Sequence, residues 1–110
     1  DRIAIAETAV GGVVQTLLPV LDDIDRAREH GDLTGGLKSV ADQLDGVLAK
    51  LGAEPFGAVG DPFDPTLHEA VTHGQSDDVE APTCTVIMRR GYRIGERLLR
   101  PALVGVSDPA

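Results

Sequence analysis

The sequence predicts an α+β protein, with an N-terminal helical coiled-coil and four-helix-bundle dimerisation region followed by a small C-terminal all-β domain. Through residue 51 apolar residues recur in threes and fours, the period of helices. After Gly52, prolines and glycines punctuate short apolar runs, the grammar of strands and turns. The third observation is length: a chain of 110 residues buries only about two-thirds of the surface its unfolded form exposes. An extended helical part therefore needs a second copy or a partner. The expected boundaries are 1–51 for the helical region and 52–110 for the β-domain.

The first helix is read from Ile3, Ala6, Val10, Val13, Leu17, Val20, Ile24 and Ala27, which form a coiled-coil seam. A second stripe, Val14, Leu18 and Leu21, widens that seam into a face suited to a bundle. Pro19 removes a backbone donor, so a loosened turn or kink is expected there, and Gly31 is expected to stop the helix near His30. A second helix follows from Leu33, Leu37, Val40, Leu44, Val47 and Leu51, with Ala41 and Leu48 beside the stripe. Asp32 or Thr34 is the expected cap at its start. The short connection predicts antiparallel neighbours. Two helices alone leave apolar faces open, so a homodimeric four-helix bundle is expected, held by Leu17, Leu18, Leu21, Ile24, Leu37, Val40, Leu44 and Val47.

In the second half, strands are expected at Ala53–Phe56, Glu69–His73, Thr83–Arg89, Tyr92–Arg97 and Ala102–Val106. Asp64 followed by Pro65 predicts one short helical turn ending near His68. The segment Gln75–Glu80 reads as an exposed acidic loop.

Composition excludes several functions. The aromatic residues are Phe56, Phe63 and Tyr92, too few for a base-stacking platform, and a net charge of −8 repels phosphate backbones. Nucleic acid is not an expected partner. The longest uncharged stretch, Thr8 to Leu21, is shorter than a membrane span, so no membrane association is expected. Cys84 is the single cysteine, which fits a reducing cytoplasm. The absence of an initiator Met, with a heptad already running by the third residue, reads as a fragment of a longer chain.

Catalytic chemistry finds no support. Asp61 and Asp64 precede prolines, where carboxylates bond nearby backbone N–H groups. His68 and His73 lie five apart, a spacing that suits neither a helix face nor a strand face, and no third metal ligand accompanies them. No glycine-rich phosphate loop precedes a helix. We expect no enzyme, no metal, no cofactor and no direct nucleotide binding. The charge is uneven: residues 1–80 carry sixteen acids and five bases, whereas Arg89, Arg90, Arg93, Arg97 and Arg100 concentrate near the C-terminus. That basic run suits either a solvated strand face or an acidic protein partner. Met88 beside it suits core filling or adaptable contact.

Three stretches stand out together: Leu17-Leu18-Pro19-Val20-Leu21-Asp22-Asp23-Ile24-Asp25-Arg26-Ala27, with Gly36 opening a helix that closes at Lys50-Leu51-Gly52; Pro62-Phe63-Asp64-Pro65-Thr66-Leu67-His68-Glu69-Ala70-Val71; and Met88 to Ile94 with Arg97 to Val106. In this order they resemble the helical region, the Asp-Pro-x-x-His motif and the closing signature of the GrpE family, the nucleotide exchange factors of DnaK-class chaperones. The resemblance implies a parallel homodimer whose β-domain docks on the chaperone's ATPase domain, opens the nucleotide cleft and releases ADP. It implies a chaperone-facing surface of Arg97, Phe63, Met88 and Val106, with a helical contact from Arg26 and the Gly36 region. Phe63 and Val106 equally suit a β-core. The alternative is a non-enzymatic coiled-coil scaffold whose β-lobe binds another protein.

Overall fold

The computed structural model describes residues Asp1–Ala110. Two helices precede six strands: α1 (Arg2–Glu29), α2 (Gly35–Lys50), β1 (Ala53–Phe56), β2 (His68–Ser76), β3 (Thr83–Arg89), β4 (Gly91–Ile94), β5 (Arg97–Arg100) and β6 (Ala102–Pro109). The chain divides into two compact units, Asp1–Glu54 and Pro55–Ala110.

In the first unit, Asp1 caps α1 by accepting the Ala4 N–H at 2.9 Å, which satisfies one of the orphan donors of the first turn. The helix then runs to Glu29. The loosened turn expected at Pro19 does not interrupt it: Pro19 lies inside a continuous helix, exposed, with buried Leu18 and Leu21 packed on either side. It ends in a Schellman arrangement, with the Asp32 N–H donating to the Ala27 carbonyl at 2.9 Å and the Gly31 N–H to the Arg28 carbonyl at 3.2 Å. Gly31 takes φ 73° there, the left-handed conformation that a side chain would strain. Thr34 occupies the N-cap of α2 without a side-chain bond.

Contrary to the reading of the uncharged stretch alone, α1 is long and apolar enough to cross a membrane by length and composition. The difference arises because a span tolerates an isolated charge such as Glu7, which the stretch from Thr8 to Leu21 excludes. The helix nevertheless sorts its residues by face. Gly11, Val14, Leu18 and Leu21 are buried within the single chain, whereas Val13 and Val20 of the neighbouring seam are exposed. The second helix repeats this division: Ala41 and Leu48 are buried, while Leu37, Val40 and Val47 stand open. Arg28 bridges Asp25 on its own helix and Asp45 on α2, tying the end of α1 to the second helix.

The six strands form two three-stranded sheets, β1-β4-β5 and β2-β6-β3, of which β2 to β6 lie wholly in the second unit. In the β2-β6-β3 sheet, β6 runs down the middle, parallel to β2 and antiparallel to β3. Its core is Cys84, Ala102, Val104 and Val106, with Phe56, Phe63, Ala70 and Ile87 packed against them. The single strand expected at Tyr92–Arg97 is instead a hairpin of β4 and β5. Gly95, at φ 56°, and Glu96 form its turn, and glycine's freedom at positive φ makes so tight a reversal possible. The β2 strand extends to Ser76, so the start of the expected acidic loop is strand rather than loop. Asp64 to His68 forms the single capped turn expected, with the His68 backbone N–H donating to the Asp64 carbonyl at 2.8 Å, and goes no further into a helix.

Candidate functional site

On the first unit the residues of interest are exposed. Arg26 pairs with Asp23 one turn earlier, an exposed pair of small energetic weight that leaves the guanidinium at the surface. Gly36 lies in the first turn of α2, and a methyl group added there would meet open space. Of the helical residues expected at a dimer interface, Leu37 and Val40 are 56% and 63% exposed, and Val47 is also exposed. Leu17, Ile24 and Leu44 are half-buried. Leu18 and Leu21 are already covered within the single chain. The positions beside the main stripes thus make most of the intrachain contact, and the stripes remain open at Val13, Val20, Leu37, Val40 and Val47.

On the second unit, the Asp-Pro segments use their polar groups locally. Asp61 Oδ2 accepts the Ala58 N–H at 2.9 Å. Asp64 Oδ1 accepts both the backbone N–H and the hydroxyl of Thr66, at 2.8 and 2.7 Å. The Thr66 hydroxyl and then its N–H hold the Asp64 carboxyl below the ordinary carboxylate range, against slight desolvation. Both carboxylates therefore serve turns. No group of three or more His, Cys, Asp or Glu side chains is arranged to hold a metal ion.

The four residues expected at the partner-facing surface of this unit have different surroundings. Met88 is 49% exposed on β3, and Arg97 is exposed at the start of β5. Phe63 is half-buried, stacked on His68 and packed against the core cluster. Val106 is 2% exposed and belongs to that cluster. Its side chain is thus a core element, one of the two places expected for it. The physical reason is its place on the central strand, where Val104 and Val106 share the inward face and Gly105 points away.

Sequence periodicity did not reveal Val86. Simple alternation along Thr83–Arg89 places Cys84, Val86 and Met88 on one face. A register shift between Cys84 and Val86 breaks that alternation: Cys84 points into the core, and beyond the bulge Ile87 does so while Val86 and Met88 are exposed. Burial pushes the Cys84 thiol up, with the Asp61 charge adding to the effect. Another shift, in β2 between Ala70 and Thr72, leaves Val71 exposed. No local turn signal marks either bulge.

The basic run is partly structural. Arg90 and Arg100 lie 5.7 and 5.5 Å from the centroid of the buried Tyr92 ring, and Arg93 lies 5.7 Å from that of Phe56. Arg100 Nε donates to the Arg90 carbonyl at 2.9 Å. Such contacts recover part of the cost of partial burial. The Arg89 Nε is buried without a hydrogen-bond partner. Of the five arginines, Arg97 is the one that stands exposed.

This arrangement has close relatives. The sequence pattern of the GrpE family matches residues 1–108. The chain is 56% identical over 109 residues to "Protein GrpE" of Streptomyces coelicolor, covering 99% of this chain and 48% of that protein. It is 56% identical over 109 residues to "Protein GrpE 1" of Streptomyces avermitilis, covering 99% and 49% respectively. Against "Protein GrpE" of Mycobacterium tuberculosis H37Rv the identity is 54% over 110 residues, covering 98% of this chain and 47% of that protein. The chain spans about half the length of these relatives.

Proposed function

Because the chain belongs to the GrpE family, we propose that it is the dimerising and docking part of a co-chaperone that exchanges adenine nucleotide on a DnaK-class chaperone in protein folding and the stress response. The observation that carries this reading is the family match across both units, from residue 1 to residue 108. Two physical features support it. The open stripe of Leu37, Val40 and Val47 on α2, together with Val13 and Val20 on α1, fits burial against a second copy in a homodimeric bundle. On the other unit, exposed Met88 and Arg97 offer an apolar and a cationic contact to a protein surface.

Exchange of this kind is binding chemistry. A factor that binds the open form of the chaperone's ATPase domain more tightly than the closed form shifts the population toward the open form, and ADP leaves from there. The factor itself makes and breaks no bond, so this role requires no catalytic residue, metal or cofactor in the chain. Arg26 and Gly36 supply the helical part of the contact in this reading, and the protein acts in the bacterial cytoplasm.

The decisive experiment is the dissociation rate of fluorescent ADP from a DnaK-class chaperone, with and without this chain. The expected outcome is acceleration that Arg97→Glu abolishes while the dimer persists. A properly dimeric wild-type chain that leaves the rate unchanged would refute exchange activity for these 110 residues.

A further inference from the structure

His68 is the buried polar side chain of the chain, 6% exposed at the start of β2. Its ring stacks on Phe63, with centroids 6.0 Å apart and planes at 29°, and meets Phe56 edge-on at 6.3 Å. Burying an imidazole requires its polar atoms to find partners. Its Nδ1 lies 3.0 Å from the Asp64 backbone nitrogen, which donates to it. The His68 backbone N–H in turn donates to the Asp64 carbonyl at 2.8 Å. The two residues therefore clasp each other from opposite ends of the Asp64–His68 turn.

The direction of the first bond fixes the tautomer. A backbone N–H is only a donor, so Nδ1 must present its lone pair and the ring proton sits on Nε2. Phe63 is the residue immediately before this clasp. Its own N–H donates to the Pro82 carbonyl at 3.0 Å, which secures the backbone, and its side chain rests on the imidazole. The Phe63 ring thus rests on the His68 imidazole as well as on the core cluster, and not on its backbone alone.

We propose that His68, in its Nε2–H tautomer, is the positioning residue that holds the Asp64–His68 turn and the Phe63 ring in the geometry used for docking. The docking half of this statement rests on the exchange-factor reading above; the positioning half stands on the clasp and the ring stack. His68 touches no partner and acts through Phe63.

The test uses the 110-residue chain as it is. Long-range proton–nitrogen spectra report the tautomer of wild-type His68, and protonation on Nε2 is expected. Amide exchange then follows the Asp64 N–H in His68→Leu, which keeps apolar bulk and removes the acceptor, and in His68→Asn, whose side-chain oxygen falls near the place of Nδ1. Exchange at Asp64 is expected to speed up roughly tenfold in the Leu variant and to return toward wild type in the Asn variant. Calorimetric binding to a DnaK-class ATPase domain is expected to weaken in His68→Leu as far as in Phe63→Ala, with partial recovery in His68→Asn. A proton on Nδ1 overturns the proposal even where the variants fail to fold. Unchanged Asp64 exchange and unchanged binding in a folded His68→Leu overturn it as well. Should wild type itself not bind while the exchange pattern holds, positioning by His68 is upheld and the docking reading falls.

Discussion

At the residue scale, the polar chemistry that resembles an active site is spent on backbone geometry. Asp64 illustrates this: its carboxyl sits below the ordinary range because the Thr66 hydroxyl and N–H both stabilise the charged form. The folded-state value is depressed, so the carboxyl contributes stability above its unfolded value and loses that contribution as pH falls through the folded one. Thr66→Val removes the hydroxyl donor and is expected to move the Asp64 titration upward, back toward the ordinary value, as followed by carboxyl-carbon NMR. Cys84 is the complementary case. Its thiol is fully buried and its ionisation is pushed up, so alkylation of the folded chain at pH 8 is expected to be far slower than after denaturation. Equal rates in the two states would show that β3 opens readily. The turn role of Asp64 was legible from the Asp-Pro dipeptide; the role of His68 was not, because a histidine's partners across a turn depend on which aromatic rings the fold brings beside it.

At the element scale, periodicity located both helices and most strands, and failed where a strand changes face or reverses. Gly95-Glu96 carries a turn signal, yet the apolar and charged residues around it also suit one continuous strand; pairing of Tyr92 with Arg100 settles the hairpin. The β-bulges beside Val86 and Val71 answer to the central strand, where Gly105 leaves room. A methyl group added to Gly105 would approach Thr72 Oγ1 to 2.6 Å and Val86 Cβ to 3.3 Å. Crowding is more severe at Gly91, the first residue of β4, where an added methyl would lie 2.3 Å from the tip of the Phe56 ring. Gly91→Ala is expected to destabilise the chain by about 1–3 kcal/mol, the cost of overpacking a filled site. Phe56→Leu in the same chain is expected to relieve part of that cost, giving a non-additive double-mutant cycle in denaturant unfolding. Additive losses would mean that the ring yields without strain.

At the scale of the whole molecule, the proposed homodimer would give the helical stripes and the β-unit different dependences on concentration. The α2 stripe of Leu37, Val40 and Val47 is exposed in one chain, so in that dimer its stability would depend on association. Thermal unfolding followed by the helical signal is expected to shift to higher temperature as protein concentration rises, and to precede loss of the β-unit. A single transition independent of concentration would contradict this. Leu37→Asp together with Val40→Asp is expected to shift sedimentation from dimer toward monomer, because each places a charge on a surface that the proposed dimer buries. By contrast Leu21, 2% exposed within the single chain, is expected to cost about 2–5 kcal/mol as Leu21→Ala whatever the oligomeric state.

The sequence by itself determined the order of helix and strand, the stop at Gly31, the change of grammar after Gly52 and the family resemblance, because these depend on local period, capping and turn chemistry. Tertiary structure decided which stripe each helix buries within one chain, which β3 residues face outward past the bulge, and that Val106 lies inside while Arg97 lies outside. It also decided that Arg90, Arg93 and Arg100 lean on aromatic rings. Those outcomes depend on contacts between residues far apart in the chain. A periodic pattern shows that a face is apolar; only the packing of the other elements determines what covers it.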